Sequence, residues 1–344
     1  MSDHGTTPMP RNHVWEHRWG VILAGGEGVR LRSLTRLIAG DDRPKQFCPL
    51  LGGRTLLAQT RQRIARRISH NRALFVLLKA HESFYADELA DVSAAQKLVQ
   101  PSNRGTLPAI LWSLLQIVEL DPRAAVAFFP SDHYYTDEGN FMAGTALAFG
   151  AAESNRDSVI LLAAPAMHPE TEYGWIEAEA APSCQLENGL LRVKHFWEKP
   201  SQEVATDLLD RGCVWNTFVM VGLATAFLRL IRSSAPEVYH AFASMYRQRD
   251  PDIEAELMSS LYADLPTVDL SKRVLAMAPE MLRVLCLGDV GWSDLGSPQR
   301  VVEVARRTGE KNDWLDLWHR DAMWATSSRD TDPVDRSARS ASVA

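Results

Sequence analysis

The apolar positions of this chain fall into a repeating rhythm. Val21 to Ala24 is a short, wholly apolar run that stops at glycines, the pattern of a strand buried on both faces. Thr55 to Ile68 carries Leu56, Leu57, Ile64 and Ile68 on one side and arginines on the other, as an amphipathic helix does. Ala73 to Leu78 reads as a buried strand, His81 to Val92 as a second helix and Lys97 to Gln100 as a short strand. A third helix is expected from the segment Pro101 to Thr106 as far as about Leu120, with Pro108 tolerated in its first turn. Ala124 to Phe129 is again purely apolar and ends at Pro130-Ser131-Asp132-His133. Strands and helices alternating in this way predict an α/β fold, with a mostly parallel central sheet flanked by helices and right-handed crossovers. Ligands of such sheets bind beyond the carboxyl ends of the strands, where the glycines, Gln100 and Asp132 all fall.

The second half is less regular. Val159 to Ala163, Tyr173 to Glu177, Leu191 to Trp197, Val214 to Val221 and Leu282 to Leu287 are expected strands, the second and third of them antiparallel. Ala224 to Ala263 is mostly helical and forms a small lobe over one side of the sheet. Pro298 to Arg307 is a closing helix. The expected division is a flexible segment over 1–18, one domain over 19–310 and a polar, disordered tail over 311–344 whose removal leaves activity intact.

Composition narrows the function. A formal charge of −6 over 344 residues is not that of a general nucleic-acid binder, so an anionic substrate must be met by local cations. No apolar run approaches the roughly 20 residues of a membrane span, and the first 18 residues lack the apolar centre of a secretory signal. Cys48, Cys184, Cys213 and Cys286 are scattered without a Cys-x-x-Cys pair, which predicts free thiols and a cytoplasmic location. Oligomeric state stays open, a homo-oligomer included.

The chemistry begins at Ala24-Gly25-Gly26, with Gly28 close behind. Backbone N–H groups in such a turn form an anion nest, and Arg30 and Lys45 add charge for a polyphosphate. Val29-Arg30 after Gly28 does not match the Lys-Ser or Lys-Thr of a phosphate-binding loop, and Leu31 stands where a dinucleotide fingerprint needs a small residue. Asp132, directly after a strand, reads either as a helix N-cap or as a Mg²⁺ ligand, with Asp294 of Gly291-Trp292-Ser293-Asp294-Leu295-Gly296 as the natural second carboxylate.

Gly25-Gly26-x-Gly28-x-Arg30-Leu31 followed by Pro44-Lys45-Gln46-Phe47 resembles the opening of the sugar-nucleotidyltransferase family, in the form most similar to the mannose-1-phosphate guanylyltransferases; Ser33 departs from the usual proline. Further segments resemble the family in the same order: Gln100-Pro101-Ser102-Asn103-Arg104-Gly105-Thr106, Pro130-Ser131-Asp132-His133, Tyr173-Gly174-Trp175-Ile176, Phe196-Trp197-Glu198-Lys199-Pro200, Trp215-Asn216-Thr217 and Trp292-Ser293-Asp294. The resemblance covers about Gly20 to Arg307 and implies a Rossmann-like nucleotidyltransferase fold. It implies that Ala24, Gly25, Gly26, Gly28, Arg30, Lys45, Gln100, Arg104, Gly105 and Thr106 bind a nucleoside triphosphate, GTP being favoured. Tyr173, Gly174, Glu198, Lys199 and Asn216 would bind the sugar-1-phosphate, and Asp132 and Asp294 would hold Mg²⁺. Arg30, Lys45, Asp132 and Lys199 would carry catalysis.

Two departures bear on the base. Gln100 replaces the usual acid and Gly105 the usual asparagine, and a glutamine carbonyl accepts from only one of the two guanine N–H donors that a carboxylate would satisfy. A transferase using UTP or dTTP with glucose-1-phosphate is therefore the alternative. A non-catalytic regulatory subunit is disfavoured by the presence of Arg30, Lys45 and both aspartates, and a nicotinamide-dependent oxidoreductase by Leu31. The family's C-terminal β-helix and isomerase domains find no room after Arg307, so isomerase activity is not expected.

Overall fold

A computed structural model describes residues 16–180, 189–247, 254–309, 312–318 and 320. The strands are β1 (Arg18–Leu23), β2 (Ala73–Leu78), β3 (Lys97–Gln100), β4 (Ala125–Pro130), β5 (Tyr134–Tyr135), β6 (Val159–Ala164), β7 (Gly174–Ala178), β8 (Leu191–Glu198), β9 (Val214–Leu223), β10 (Leu282–Cys286) and β11 (Trp292–Ser293). Nine of them form one sheet in the order β3-β2-β1-β4-β9-β6-β10-β8-β7, and β5 pairs with β11 apart from it. The pairings β1–β2, β1–β4, β2–β3 and β6–β10 are parallel. β9 lies antiparallel between β4 and β6, and β8 antiparallel between β10 and β7. All strands of the large sheet except β8 and β9 thus share one direction, as a mostly parallel sheet requires.

The helices are α1 (Arg32–Ala39), α2 (Leu56–Ile64), α3 (Glu82–Tyr85), α4 (Thr106–Leu120), α5 (Glu138–Ser154), α6 (Gln202–Asp210), α7 (Ala224–Ser234), α8 (Pro236–Arg247), α9 (Glu254–Asp264), α10 (Leu270–Arg273) and α11 (Pro298–Thr308). Successive strand residues point to opposite faces, so Val21, Val76 and Phe128 pack under α4 and the lobe helices α7 to α9. Ile22, Phe75 and Phe129 pack on the other face, against Leu57 of α2 and Phe141 and Phe149 of α5. This two-faced burial explains the uninterrupted apolar runs. It also puts every strand-to-helix loop of β1 to β4 at one edge of the sheet.

Several boundaries differ from expectation. The stretch after Leu31, expected as a loop, forms α1, because Leu34 is buried and Leu37 and Ile38 pack beside it at helical spacing. Gly40 ends it at φ 82. The expected helix over His81 to Val92 is α-helical only as α3, and the turns beyond it still bury Leu89 and Val92. The N-terminal boundary lies earlier than Trp19: Arg18 belongs to β1, is buried over Phe149 and pairs with Glu153 at 3.1 Å. Residues 1–15 lie outside the described residues.

The expected tail also begins too early. Trp314 is buried and its Nε1 donates to the Leu50 carbonyl at 3.0 Å, so an aromatic anchor lies past Lys311. Residues 321–344 are outside the described residues. Cys48 and Cys213 are buried free thiols, whereas Cys286 is disulfide-bonded, which corrects the expectation of free thiols at that position. Distance along the chain says nothing of distance in the fold, and it is the latter that decides whether two cysteines can bond. Cys184 lies outside the described residues. No helix among the described residues is long and apolar enough to cross a membrane.

Candidate active site

The glycine loop leaves β1 with Ala24 still bonded to the sheet, its N–H donating to the Val76 carbonyl at 2.8 Å. Gly28 takes φ 61, and a Cβ there would stand 2.9 Å from the Lys45 nitrogen. The glycine therefore serves both a left-handed turn and a close backbone approach. Gln46, fully buried, braces the loop by donating from Nε2 to the carbonyls of Ala24 at 3.1 Å and Gly26 at 2.7 Å. Phe47 anchors this brace against Phe84 and Tyr85. The motif Pro-Lys-Gln-Phe thus owes its last two residues to the loop's support, a role that the sequence reading had not given to Gln46.

Lys45 is the centre of the charges. Its Nζ lies 3.1 Å from Asp132 Oδ2 and donates to the main-chain carbonyl of Asp294 at 2.5 Å. One buried ammonium therefore joins the ends of β4 and the β11 turn, and brings the two predicted metal aspartates to one place. Asp294 Oδ1 accepts from Tyr173 Oη at 2.9 Å, Gly296 N–H at 2.9 Å and Arg300 Nη1 at 2.8 Å. Arg300 also pairs with Glu170. Burial works against ionisation of Asp294, but Lys45 and Arg300 outweigh it and hold the carboxyl below the usual range. Burial lowers the pKa of His133, whose Nδ1 accepts from Trp292 Nε1 at 3.2 Å. A cavity of about 260 Å³ opens beside this centre, lined by Gly28, Arg30, Lys45, Asp132 and Gly296. Arg30 stands exposed at its rim, paired with Glu172 at 2.7 Å. Among the described residues no helix N–H donates to Asp132; the N-cap of α5 is Asp137, so of the two readings of Asp132 the cap is the one overturned. A Mg²⁺ ion fits the oxygen donors present, Asp132 and the remaining oxygen of Asp294, with the other places left to phosphate and water.

A larger cavity of about 380 Å³ runs along the strand ends from Gly25, Gly26 and Gln100 to Asp132, with Gly105 and Thr106 on the far wall. Gly105 has φ 84, and a Cβ on it would lie 2.4 Å from the Val268 carbonyl, so the departure to glycine lets the lobe close onto α4. Thr106 Oγ1 accepts from Leu270 N–H at 2.9 Å. Gln100 is buried, its Oε1 accepting from Tyr262 Oη of α9 at 3.1 Å. Its amide nitrogen would stand 3.0 Å from a Cβ placed on Gly25. Arg104 is not brought to this cavity. Its Nε donates to the Tyr262 carbonyl at 2.7 Å and its Nη2 to the Ala263 carbonyl at 3.2 Å, closing the end of α9.

The second predicted cluster also assembles. A Cβ on Gly174 would meet Glu198 Oε2 at 3.0 Å and Asn216 Cβ at 3.3 Å, so three strands deliver these residues to one point. Lys199 adjoins them, exposed, with φ 52 and its N–H donating to the Tyr173 carbonyl at 3.1 Å. The Tyr173 ring turns away to Asp294 and Arg300, which makes it a brace of the aspartate. Asp269, missed from sequence, lies near enough to act on Glu198 and lines the large cavity. Burial, helped by Asp269, raises the Glu198 carboxyl from 4.5 to about 7. The folded state then holds a proton that the unfolded chain has released. That contribution to stability is fully present below pH 4.5 and is lost as the pH rises through about 7. Glu198→Gln should therefore flatten the fall in thermal midpoint over this interval; parallel melting curves for parent and variant would refute the shift.

A family model, nucleotidyl transferase, matches residues 19–311. The chain belongs to the nucleotidyl transferase family. Among curated relatives, the alginate biosynthesis protein AlgA of Pseudomonas syringae pv. tomato is 30% identical over 85% of this chain and 59% of its own length. Mannose-1-phosphate guanylyltransferase 2 of Escherichia coli O157:H7 is 27% identical over 84% of this chain and 60% of its own. The chain thus spans about 60% of the length of such relatives. A solved structure named mannose-1-phosphate geranyltransferase, from Thermus thermophilus, superimposes with a TM-score of 0.72 at 27% identity, covering 86% of this chain and 80% of that one. The nucleotidyltransferase fold expected from the motifs is the fold of the molecule.

Proposed function

We propose that this chain transfers a guanylyl group from GTP to mannose-1-phosphate, giving GDP-mannose and pyrophosphate. The observation that carries the reading is Lys45, whose ammonium joins Asp132 to the Asp294 turn beside the glycine-lined cavity. The names of the guanylyltransferase relatives and the Pro44–Phe47 and Trp215-Asn216 motifs support the choice of substrates.

A sugar-phosphate oxygen attacks the α-phosphorus in line, one P–O bond forms, and the bond to the β-phosphate oxygen breaks as pyrophosphate leaves. The nucleophile is already an anion, so no general base is needed, and the protein's work is positioning and charge neutralisation. Bound Mg²⁺, held by Asp132 and Asp294, would supply further neutralisation of phosphate charge. The glycine loop's N–H groups, Arg30 and Lys45 receive the triphosphate, with Glu172 giving up Arg30 at the exposed rim. Glu198 and Asn216 bind sugar hydroxyls, and Lys199 offsets repulsion between the two phosphates.

A second reading, UTP or dTTP with glucose-1-phosphate, is favoured by Gln100. Its carbonyl oxygen is already engaged by Tyr262 and its amide nitrogen donates one hydrogen to the Leu77 carbonyl at 3.5 Å, which leaves one amide N–H for a base carbonyl. Initial rates of pyrophosphate release over a panel of triphosphates and sugar phosphates decide the matter. GTP with mannose-1-phosphate should have the highest kcat/KM, and a higher value for either pyrimidine pair would overturn the first reading.

The two lysines should separate by place. Losing a charge-assisted hydrogen bond costs about 1.5–3 kcal/mol, and about 1.4 kcal/mol is a factor of ten. Lys199→Met should weaken sugar-phosphate binding roughly ten- to a hundredfold and leave nucleotide affinity within about threefold. Lys45→Met should do the reverse. Calorimetry with each ligand alone checks both, and equal losses in the two variants would end the division of labour.

A further inference from the structure

Strand β9 breaks its register at one place. Opposite β6, Leu162 faces Val219 but the next residue, Ala163, faces Asn216, so Thr217 and Phe218 are looped out of the ladder. Two side chains lock the bulge. Asn216 Oδ1 accepts from the Phe218 N–H at 3.2 Å. Thr217 Oγ1 donates to the Leu162 carbonyl at 2.6 Å and accepts from the Val219 N–H at 3.3 Å. The result is a left-handed Phe218, φ 61, a conformation with a steric cost for any residue that has a Cβ.

Core packing alone does not need this geometry. A phenylalanine kept in register would be buried from an extended backbone, as Phe128 is on β4. The bulge leaves the Phe218 ring half-buried, packed against the core on one side and on the wall of the large cavity, which Asp132 and Asp269 also line, on the other. Asn216, two residues earlier, belongs to the Gly174–Glu198 cluster. Phe218 thus stands where the cavity meets that cluster. A hexose presents an apolar C–H face and a rim of hydroxyls, and a site of apolar wall plus a few placed polar groups suits it. Strain kept at such a wall, when glycine would relieve it, marks the ring as the reason for the bulge.

We infer that Phe218 is a specificity-determining residue that packs against the C–H face of the sugar phosphate's hexose, while Glu198 and Asn216 take its hydroxyls. The inference rests on reading the site as a sugar-1-phosphate nucleotidyltransferase. Two variants test it, Phe218→Gly and Phe218→Leu. Glycine relieves the left-handed strain and removes the ring; leucine keeps the strain and the apolar bulk but not the flat face. With Phe218→Gly the KM for the sugar phosphate should increase about tenfold or more, the scale of one buried aromatic contact, with a fall in thermal midpoint as the ring's contacts with the core are lost. With Phe218→Leu the midpoint should stay at the parent's value while discrimination between mannose- and glucose-1-phosphate falls. KM for the triphosphate should stay within about threefold in both. Unchanged sugar-phosphate KM and discrimination in the leucine variant would overturn the inference, as would a loss that falls on the triphosphate instead. Calorimetry of hexose phosphate binding, made without triphosphate, keeps this separate from the reaction. A parent protein that binds hexose phosphate but transfers nothing would refute the reaction alone, whereas one that binds no hexose phosphate would refute both.

Discussion

Asp132→Asn should turn over at least about a hundredfold more slowly than the parent protein, the usual scale for losing one preorganised electrostatic contact. Asparagine preserves the shape at the end of β4 but removes the charge that faces Lys45 Nζ at 3.1 Å and that would hold the metal. Asp132 is also the carboxylate that pairs with the buried Lys45 ammonium, which would keep main-chain carbonyls alone in the variant, so the thermal midpoint should fall as well. Asp294→Asn should show the same two losses. Asp294 is more deeply buried and gathers Tyr173, Gly296 and Arg300 on one oxygen. Neutralising it leaves the Arg300 guanidinium short of one of its two carboxylate partners, and a charge so stripped in the interior is destabilising. Both kcat and midpoint should fall. Saturating-substrate rates and melting curves measure both losses, and near-normal Mg²⁺-dependent turnover in both variants would show that these aspartates are not the catalytic pair.

Trp314→Ala should lower stability by about 3–5 kcal/mol, the range for truncating a buried tryptophan or phenylalanine. The indole fills a cluster that contains Leu31 and Leu34 after the glycine loop, Leu50 and Leu51 after Lys45, and Leu295 after Asp294. It also satisfies the Leu50 carbonyl. One side chain therefore ties together the three segments that carry Arg30, Lys45 and Asp294. A chain cut after Arg307 loses the same contact, so it should melt earlier and not remain intact as the polar composition of the tail implies. Trp314→Phe keeps most of the apolar area and should recover most of the loss. Denaturant unfolding measures all three, and a Trp314→Ala midpoint equal to the parent's would remove this anchor from the account.

The strands and α4 were legible because burial on two faces demands unbroken apolar runs, and Ala73–Leu78 and Lys97–Gln100 fall where those runs do. Lobe helices were legible in bulk for the same reason. α1 was not, since its polar face of arginines and serine beside a glycine loop reads as loop until Leu34 is seen to have a pocket. Trp314 was hidden by its polar neighbours, because one aromatic residue makes no periodic pattern. Of the candidate site, motif order pointed to Lys45, Asp132 and Asp294 and to the Gly174–Glu198–Asn216 group, which the fold brings together. What the chain's order cannot convey is which way a side chain turns. Arg104 faces α9 and Tyr173 faces Asp294, although their motif neighbours face the cavities. The supporting residues Gln46, Tyr262, Asp269 and Arg300 have no motif of their own; they matter through a partner far away in sequence.

The most direct test follows the α-phosphate. GTP labelled at the α-phosphorus is incubated with the protein, Mg²⁺ and mannose-1-phosphate, and a parallel reaction carries the label at the γ-phosphorus. The α-label should pass into a sugar nucleotide that co-migrates with GDP-mannose, and the γ-label should leave as pyrophosphate, each only when the sugar phosphate is present. A γ-label that appears on the sugar phosphate or as orthophosphate, with the α-label remaining in free GDP, would contradict nucleotidyl transfer at this site.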